Sequence, residues 1–231
     1  MFSSSDLIWI DFEDASASDL KASGTFRYAS DASTRAIVLA YAIGDAPALT
    51  WHADGAILDW NNAPDDLRAA FNRGMTSAAW NAGFDSATWN YATLGFPFLA
   101  PERVIDPMIQ ASVSNLPTDL ESASRALGGA GKQKDGKRLI KMFCVEGADP
   151  RDHPEDWQRF LAYARQDVEA MRDVYRRMDA PAAARGMAAV LGVRTHQPPG
   201  RDARHALRAP RSGFGDRGRY RYWPPAGRVD R

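Results

Sequence analysis

Apolar residues fall along this chain in blocks whose period changes, and the changes mark the elements. Asp6-Leu-Ile-Trp-Ile-Asp-Phe12 is a run of β-formers without polar alternation, the pattern of a central strand buried on both faces. Residues 36–43 repeat that pattern. Residues 48–52 can pair with them as a third strand across the turn Gly44-Asp-Ala-Pro47. Residues 64–71 have an acidic first turn and helical spacing, and Gly74 stops them. Residues 76–80 read as a strand, 84–94 as a helix, and Val104-Ile105 as a short strand. Asp106-Pro107 then opens a further helix with proline at its first position, and residues 119–127 form another. Residues 14–34, rich in Ser, Ala, Asp and Gly, read mostly as loop or a short helix, and residues 131–143 as a loop that turns helical near Leu139. The clearest helix is 154–177, where Trp157, Phe160, Leu161, Ala164, Val168, Met171 and Val174 fall close to one stripe. Strands followed by mixed strands and helices predict an α/β domain with a mixed sheet.

Composition changes this picture at one place. The formal net charge of zero hides a split: residues 1–178 hold 18 basic and 25 acidic groups, and residues 179–231 hold 11 arginines, no lysine and 4 aspartates. The organisation expected is therefore a domain over 1–178 and an Arg/Pro/Gly-rich tail over 179–231, with one short helix at 182–193 and the rest disordered. The tail has three readings: a basic arm with non-specific nucleic-acid affinity, an end of no consequence, or translation out of frame. No stretch approaches the roughly 18–20 apolar residues of a membrane span, and the N-terminus lacks the basic and apolar regions of a signal peptide. Cys144 is the single cysteine, so neither an internal disulfide nor a cysteine-based zinc site is possible. A reducing, cytoplasmic location is expected.

The candidate chemistry lies in carboxylates. Three short patterns occur, Asp-x-Glu, Asn-x-x-x-Asp and Tyr-x-x-x-Asp, and none is specific alone. Asp-x-Glu stands at Asp11/Glu13 but also at Asp119/Glu121 and Asp167/Glu169. Asn81/Asp85 has rivals in Asn61/Asp65 and Asn62/Asp66, and Tyr163/Asp167 has rivals in Tyr41/Asp45 and Tyr175/Asp179. Context selects among them. Asp11 and Glu13 end a buried strand and point to one face, where two charges repel and are poorly solvated unless a cation joins them. Asp119 and Glu121 sit in a helix first turn, where the dipole and water account for them. Asp85 follows a strand at the start of a helix. Tyr163 and Asp167 are one turn apart on the long helix, on a face bordering the apolar stripe, so Asp167 should point toward the domain. Tyr175 and Asp179 fall where that helix frays. Four carboxylates and a phenol suit two hard divalent ions, Mg²⁺ or Mn²⁺, and phosphodiester hydrolysis. The phenol can position the attacking water.

These residues resemble the DEDD superfamily of 3′→5′ exonucleases, tyrosine subgroup, as found in the N-terminal part of phage-type, family A DNA polymerases. The likeness includes the strings Ile10-Asp-Phe-Glu-Asp-Ala-Ser16, Arg27-Tyr-Ala29, Trp80-Asn-Ala-Gly-Phe-Asp85, Lys134-Asp-Gly-Lys-Arg-Leu-Ile140 and Tyr163-Ala-Arg-Gln-Asp-Val-Glu169, and covers roughly residues 5–178. Trp80 departs from the histidine often found there. The resemblance implies an RNase H-like fold, a two-metal 3′→5′ exonuclease and DNA with single-stranded 3′ ends as substrate, RNA remaining possible. It implies that Asp11, Glu13 and Asp167 hold one metal, that Asp11 also reaches the second, and that Asp85 acts through water. Phe12 and Asn81 would lie near the 3′-terminal nucleotide. Lys134 and Lys137, within the basic run 132–141, are candidates for phosphate contact. The polymerase domain that follows in relatives is not in this sequence, so a separate polymerase is a possible partner. The alternatives are a non-catalytic nucleic-acid-binding module and an RNA-trimming exonuclease on the same fold.

Overall fold

The computed structural model describes residues 2–129 and 135–179. The expected helix at 182–193 and the rest of the tail beyond 179 lie outside the described residues, as do Lys132 and Lys134.

The apolar run at the N-terminus becomes β1 (Leu7–Ala15), the middle of five strands ordered β3–β2–β1–β4–β5. β2 (Arg35–Ile43) and β3 (Leu49–His52) lie antiparallel on one side of it, and β4 (Thr76–Ala78) and β5 (Val104–Ile105) lie parallel on the other. A central strand is covered on both faces, which is why β1 shows no alternation. Gly44 makes the β2–β3 turn at φ 57°, with its Cα so close to the Ser5 carbonyl that a Cβ would lie 2.7 Å from that oxygen.

Eight α-helices occur among the described residues: α1 (Leu20–Ser23), α2 (Thr25–Ala29), α3 (Asp65–Asn72), α4 (Ala82–Tyr91), α5 (Pro107–Val113), α6 (Leu120–Ala126), α7 (Gly136–Ile140) and α8 (Pro154–Asp179). The stretch over 14–34, expected mostly as loop or a short helix, holds the end of β1 and two short helices. The Asp19 carboxylate starts the first by accepting the N–H groups of Lys21 and Ala22 at 2.7 and 3.0 Å. The basic segment turns helical at Gly136, earlier than Leu139, and α7 runs on into a single π-turn, Lys141–Val145.

Side-chain alternation in β1 divides the core. Ile8, Ile10 and Phe12 pack with Leu39, Tyr41, Leu67, Phe71 and Trp89, the side of α3 and α4. Leu7, Trp9 and Ala15 pack with Ala40, Ala42, Leu139, Phe143 and the α8 stripe. Ala40 and Ala42 lie across from Asp11 and Trp9, small residues that let α8 approach the sheet. The described chain is therefore an α/β fold with a mixed five-stranded sheet flanked by helices. Two expectations need correcting. Tyr175 does not fray: it is buried, meets Trp9 edge-to-face and donates to the Phe2 carbonyl at 2.8 Å. The strand expected to reach Trp80 ends at Ala78, because the Asn81 and Ala82 N–H groups turn instead to the Asp106 carboxylate.

Candidate active site

The short β4 creates the opening on which the site is built. Its last pairing is Trp9 with Ala78, whereas β1 runs on to Ala15. Beyond Trp9 the β4 side of β1 therefore has no strand partner, and a buried N–H there needs an acceptor. At Phe12 that acceptor is the Asp85 carboxylate, whose Oδ1 lies 3.0 Å from the Phe12 nitrogen. Asp85 reaches it because the chain after β4 turns sharply at Asn81, a left-handed residue at φ 65° and ψ 51°, a region asparagine tolerates. Asp106 fixes that turn. Its carboxylate accepts from Asn81 at 3.2 Å and Ala82 at 3.0 Å, and from Met108 at 2.9 Å to cap α5.

Asp85 is 3% exposed. Burial, then the negative charge of Asp11, raise its proton affinity well above the usual carboxylate range. The Phe12 N–H opposes that rise, and the Asp14 charge adds to it. Asp11 and Asp85 are thus close enough to feel each other electrostatically. Asp11 is half-buried, with Ala40 opposite. Glu13 is buried on the same face of β1, opposite Val38, and the Cys144 thiol approaches its Oε2 at 3.9 Å. Burial and the charges of Glu13 and Asp14 push the Cys144 thiol upward, so it stays protonated and can donate.

Asp14 points to the other face. The register slips between Glu13 and Asp14, where β2 carries the extra residue Ile37. The Asp14 Oδ2 accepts the Thr88 hydroxyl at 2.7 Å, while its buried Oδ1 has no hydrogen-bond partner. Burial raises its pKa to about 7, against the Thr88 bond.

Tyr163 and Asp167 are both buried on α8. Tyr163 packs in the cluster that covers the odd-numbered face of β1, the face that carries Asp11 and Glu13. Asp167 points inward, as its place beside the apolar stripe led us to expect. The Tyr163 ring lies against Gly136 in the first turn of α7.

The structure thus brings Asp85 beside Asp11 and Glu13 beside Cys144, and sets Tyr163 and Asp167 on the helix facing that side of β1. Among the described residues, no three His, Cys, Asp or Glu side chains stand together in a grouping that could hold a metal ion as placed. The donors are all carboxylate oxygens, and Asp85 is buried next to another acid. Both features fit a hard divalent cation in chemistry. A cleft of about 760 Å³ opens beside the strand, lined by Phe12, Glu13, Asp14, Tyr28, Phe84 and Cys144 among others. Of the expected substrate contacts, Phe12 lines that cleft and Asn81 and Lys137 are solvent-exposed, while Lys134 lies outside the described residues.

Four residues escaped sequence reasoning as parts of this region: Asp14, Tyr28, Cys144 and Gly136. Tyr28 is buried, and its phenol is raised above its ordinary value by burial and by the charges of Asp14 and Glu13. A third acid directly after Asp-x-Glu in a buried strand was a visible signal for Asp14. Tyr28 and Gly136 carried no signal beyond lying in strings already matched, and Cys144 carried none.

No family model matches the chain. Against curated proteins, it is 28% identical over 184 residues to a protein named DNA polymerase from Bacillus phage SP02. That similarity covers 73% of this chain and 27% of the relative, so the chain spans little more than a quarter of the relative's length.

Proposed function

We propose that this chain carries a metal-dependent 3′→5′ exonuclease of the RNase H-like, tyrosine-subgroup DEDD type. It would act on single-stranded 3′ ends of DNA and release nucleoside 5′-monophosphates. One observation carries the reading: the Asp85 carboxylate seats on the Phe12 N–H at the open edge of β1. A third acid is thereby buried beside Asp11, where only a cation or a proton can offset the charge. The relative's name, DNA polymerase, supports DNA as the substrate.

Divalent cations, Mg²⁺ or Mn²⁺, would when bound supply the positive charge that eases attack of water on phosphorus and departure of the 3′-oxygen. Asp11, Glu13 and Asp167 would hold one ion, and Asp11 with Asp85, through water, the other. Tyr163 orients the attacking water by hydrogen bonding through its phenol hydroxyl. Phe12 would pack against the terminal nucleotide, and Asn81 would border it. Lys137, and Lys134 beside it in sequence, would meet the phosphate backbone.

The test is digestion of 5′-labelled and 3′-labelled oligonucleotides, DNA and RNA, with Mn²⁺ and then with EDTA. Stepwise shortening from the 3′ end, abolished by EDTA and reduced at least about 100-fold by Asp11→Ala, is the expected result; each 1.4 kcal/mol of lost transition-state stabilisation is tenfold. Binding of DNA without any hydrolysis would replace the enzyme by a nucleic-acid-binding module. Preferential shortening of RNA would move the substrate class.

A further inference from the structure

The lysines of the Lys-Asp-Gly-Lys string are the candidates for phosphate contact, yet its glycine makes the tightest approach to the proposed site. A Cβ built on Gly136 would lie 2.3 Å from Tyr163 Cε2 and 2.8 Å from both Cδ2 and Cζ. Gly136 has an ordinary φ, outside the left-handed region, and sits in a helical first turn. Alanine would suit that backbone better than glycine, so the demand for glycine comes from the tyrosine ring and from no local strain.

Three contacts hold α7 in place against that ring. The Arg138 guanidinium donates to both oxygens of Asp156, at 3.1 and 2.7 Å, which ties α7 to the start of α8. Leu139 is 1% exposed and lies in the same cluster as Tyr163. In the π-turn that follows, Phe143 packs on Trp157 and Phe160. The next residue, Cys144, stands against Glu13. One segment, Gly136–Val145, thus touches the candidate water-orienting phenol at one end and a candidate metal-binding carboxylate at the other. Single π-turns inside helices are often found at such places.

We propose that Gly136 is a positioning residue. Its bare Cα is the wall that sets the Tyr163 ring, and the pinned α7 segment holds that phenol in register with the carboxylates of β1. The catalytic part of this statement rests on the exonuclease reading above; the contact itself does not.

The experiment uses the full chain with 3-fluorotyrosine placed at position 163, and separately at exposed position 91 as control, in wild type and Gly136→Ala. The ¹⁹F signal at 163 is expected to move by more than its linewidth while that at 91 stays. An unmoved signal at 163 in a folded variant overturns the proposal, whatever the activity. On a 5′-labelled single-stranded DNA with Mn²⁺, Gly136→Ala should lower kcat about tenfold or more with KM little changed, and should add less than about twofold in a Tyr163→Phe background. Full additivity of the two changes would overturn the positioning role. A wild type without hydrolysis would sink the exonuclease reading, and the ¹⁹F arm would still decide the contact. If Gly136→Ala does not fold, Tyr163→Leu is added to it: recovered folding supports the contact, and no recovery overturns it.

Discussion

A carboxylate buried without a full set of partners prefers to keep its proton, and Asp14 is the clearest case in this chain. Its folded pKa of about 7 lies above the ordinary 3.8 because burial penalises the charge more than Thr88 relieves it. The folded protein therefore binds more protons than the unfolded chain between those two values. Stability from this group is full below the unfolded value, falls as pH rises through the window, and is lost above about 7. Asp14→Asn keeps an acceptor for Thr88 and removes the titration. Melting measured in EDTA should show the variant gaining on wild type from pH 4.5 to pH 8, by an amount on the order of a few kcal/mol at the upper end. A constant difference across that range would mean that Asp14 does not titrate there.

At the scale of elements, one side chain joins three of them. Asp106 ends β5, caps α5 and holds the N–H groups that open α4, so it sets where α4 starts and where Asp85 points. Asp106→Ala removes a helix cap, worth about 1 kcal/mol. It also strands two further donors that had a charged acceptor, so the total loss should be about 2–3 kcal/mol. In a domain of this size that lowers the melting temperature by about 5–10 °C. Nuclease activity should fall below what the melting loss explains at a temperature where the variant remains folded, because Asp85 loses its seat. A stable variant with full activity would remove Asp106 from the account of the site. The helices themselves were legible where an acidic first turn, a proline at the first position or an apolar stripe marked them, as in α3, α5 and α8 respectively. The α7 start was not, because no pattern in Gly136-Lys-Arg announces a helix that begins in contact with Tyr163.

Over the whole described chain, α8 is the beam to which the rest is tied. Arg172, 4% exposed, donates to the carbonyls of Gly44 at 2.9 Å and Ala46 at 2.5 Å and pairs with Glu169, whose other oxygen accepts from Ala48 at 2.8 Å. These bonds fasten α8 to the β2–β3 turn and hold Tyr163 and Asp167 over the sheet. Cations bound between that helix and β1 would add to the same linkage. With Mn²⁺ at about 100 times its Kd, the folded state gains about 2.7 kcal/mol, which should raise the melting temperature by about 5–10 °C. Asp11→Ala should remove most of that rise. An equal rise in the variant would place the ions elsewhere. Among the described residues no helix is long and apolar enough to cross a membrane.

The candidate residues could be picked from the chain itself, because a buried strand ending in acids and an acid beside an apolar stripe conflict with their surroundings wherever they occur. Local patterns also placed β1, β2 and α8, since burial on two faces and a continuous stripe leave unambiguous periods. The arrangement came only with the tertiary structure. Asp85 approaches Asp11 because β4 ends three residues before the β1 N–H that needs an acceptor, and strand length is decided by pairing across the sheet. Asp14 is a buried acid because β2 slips by one residue opposite it. Gly136 meets Tyr163 across 27 positions of sequence, a contact of bare Cα with ring that no periodicity encodes.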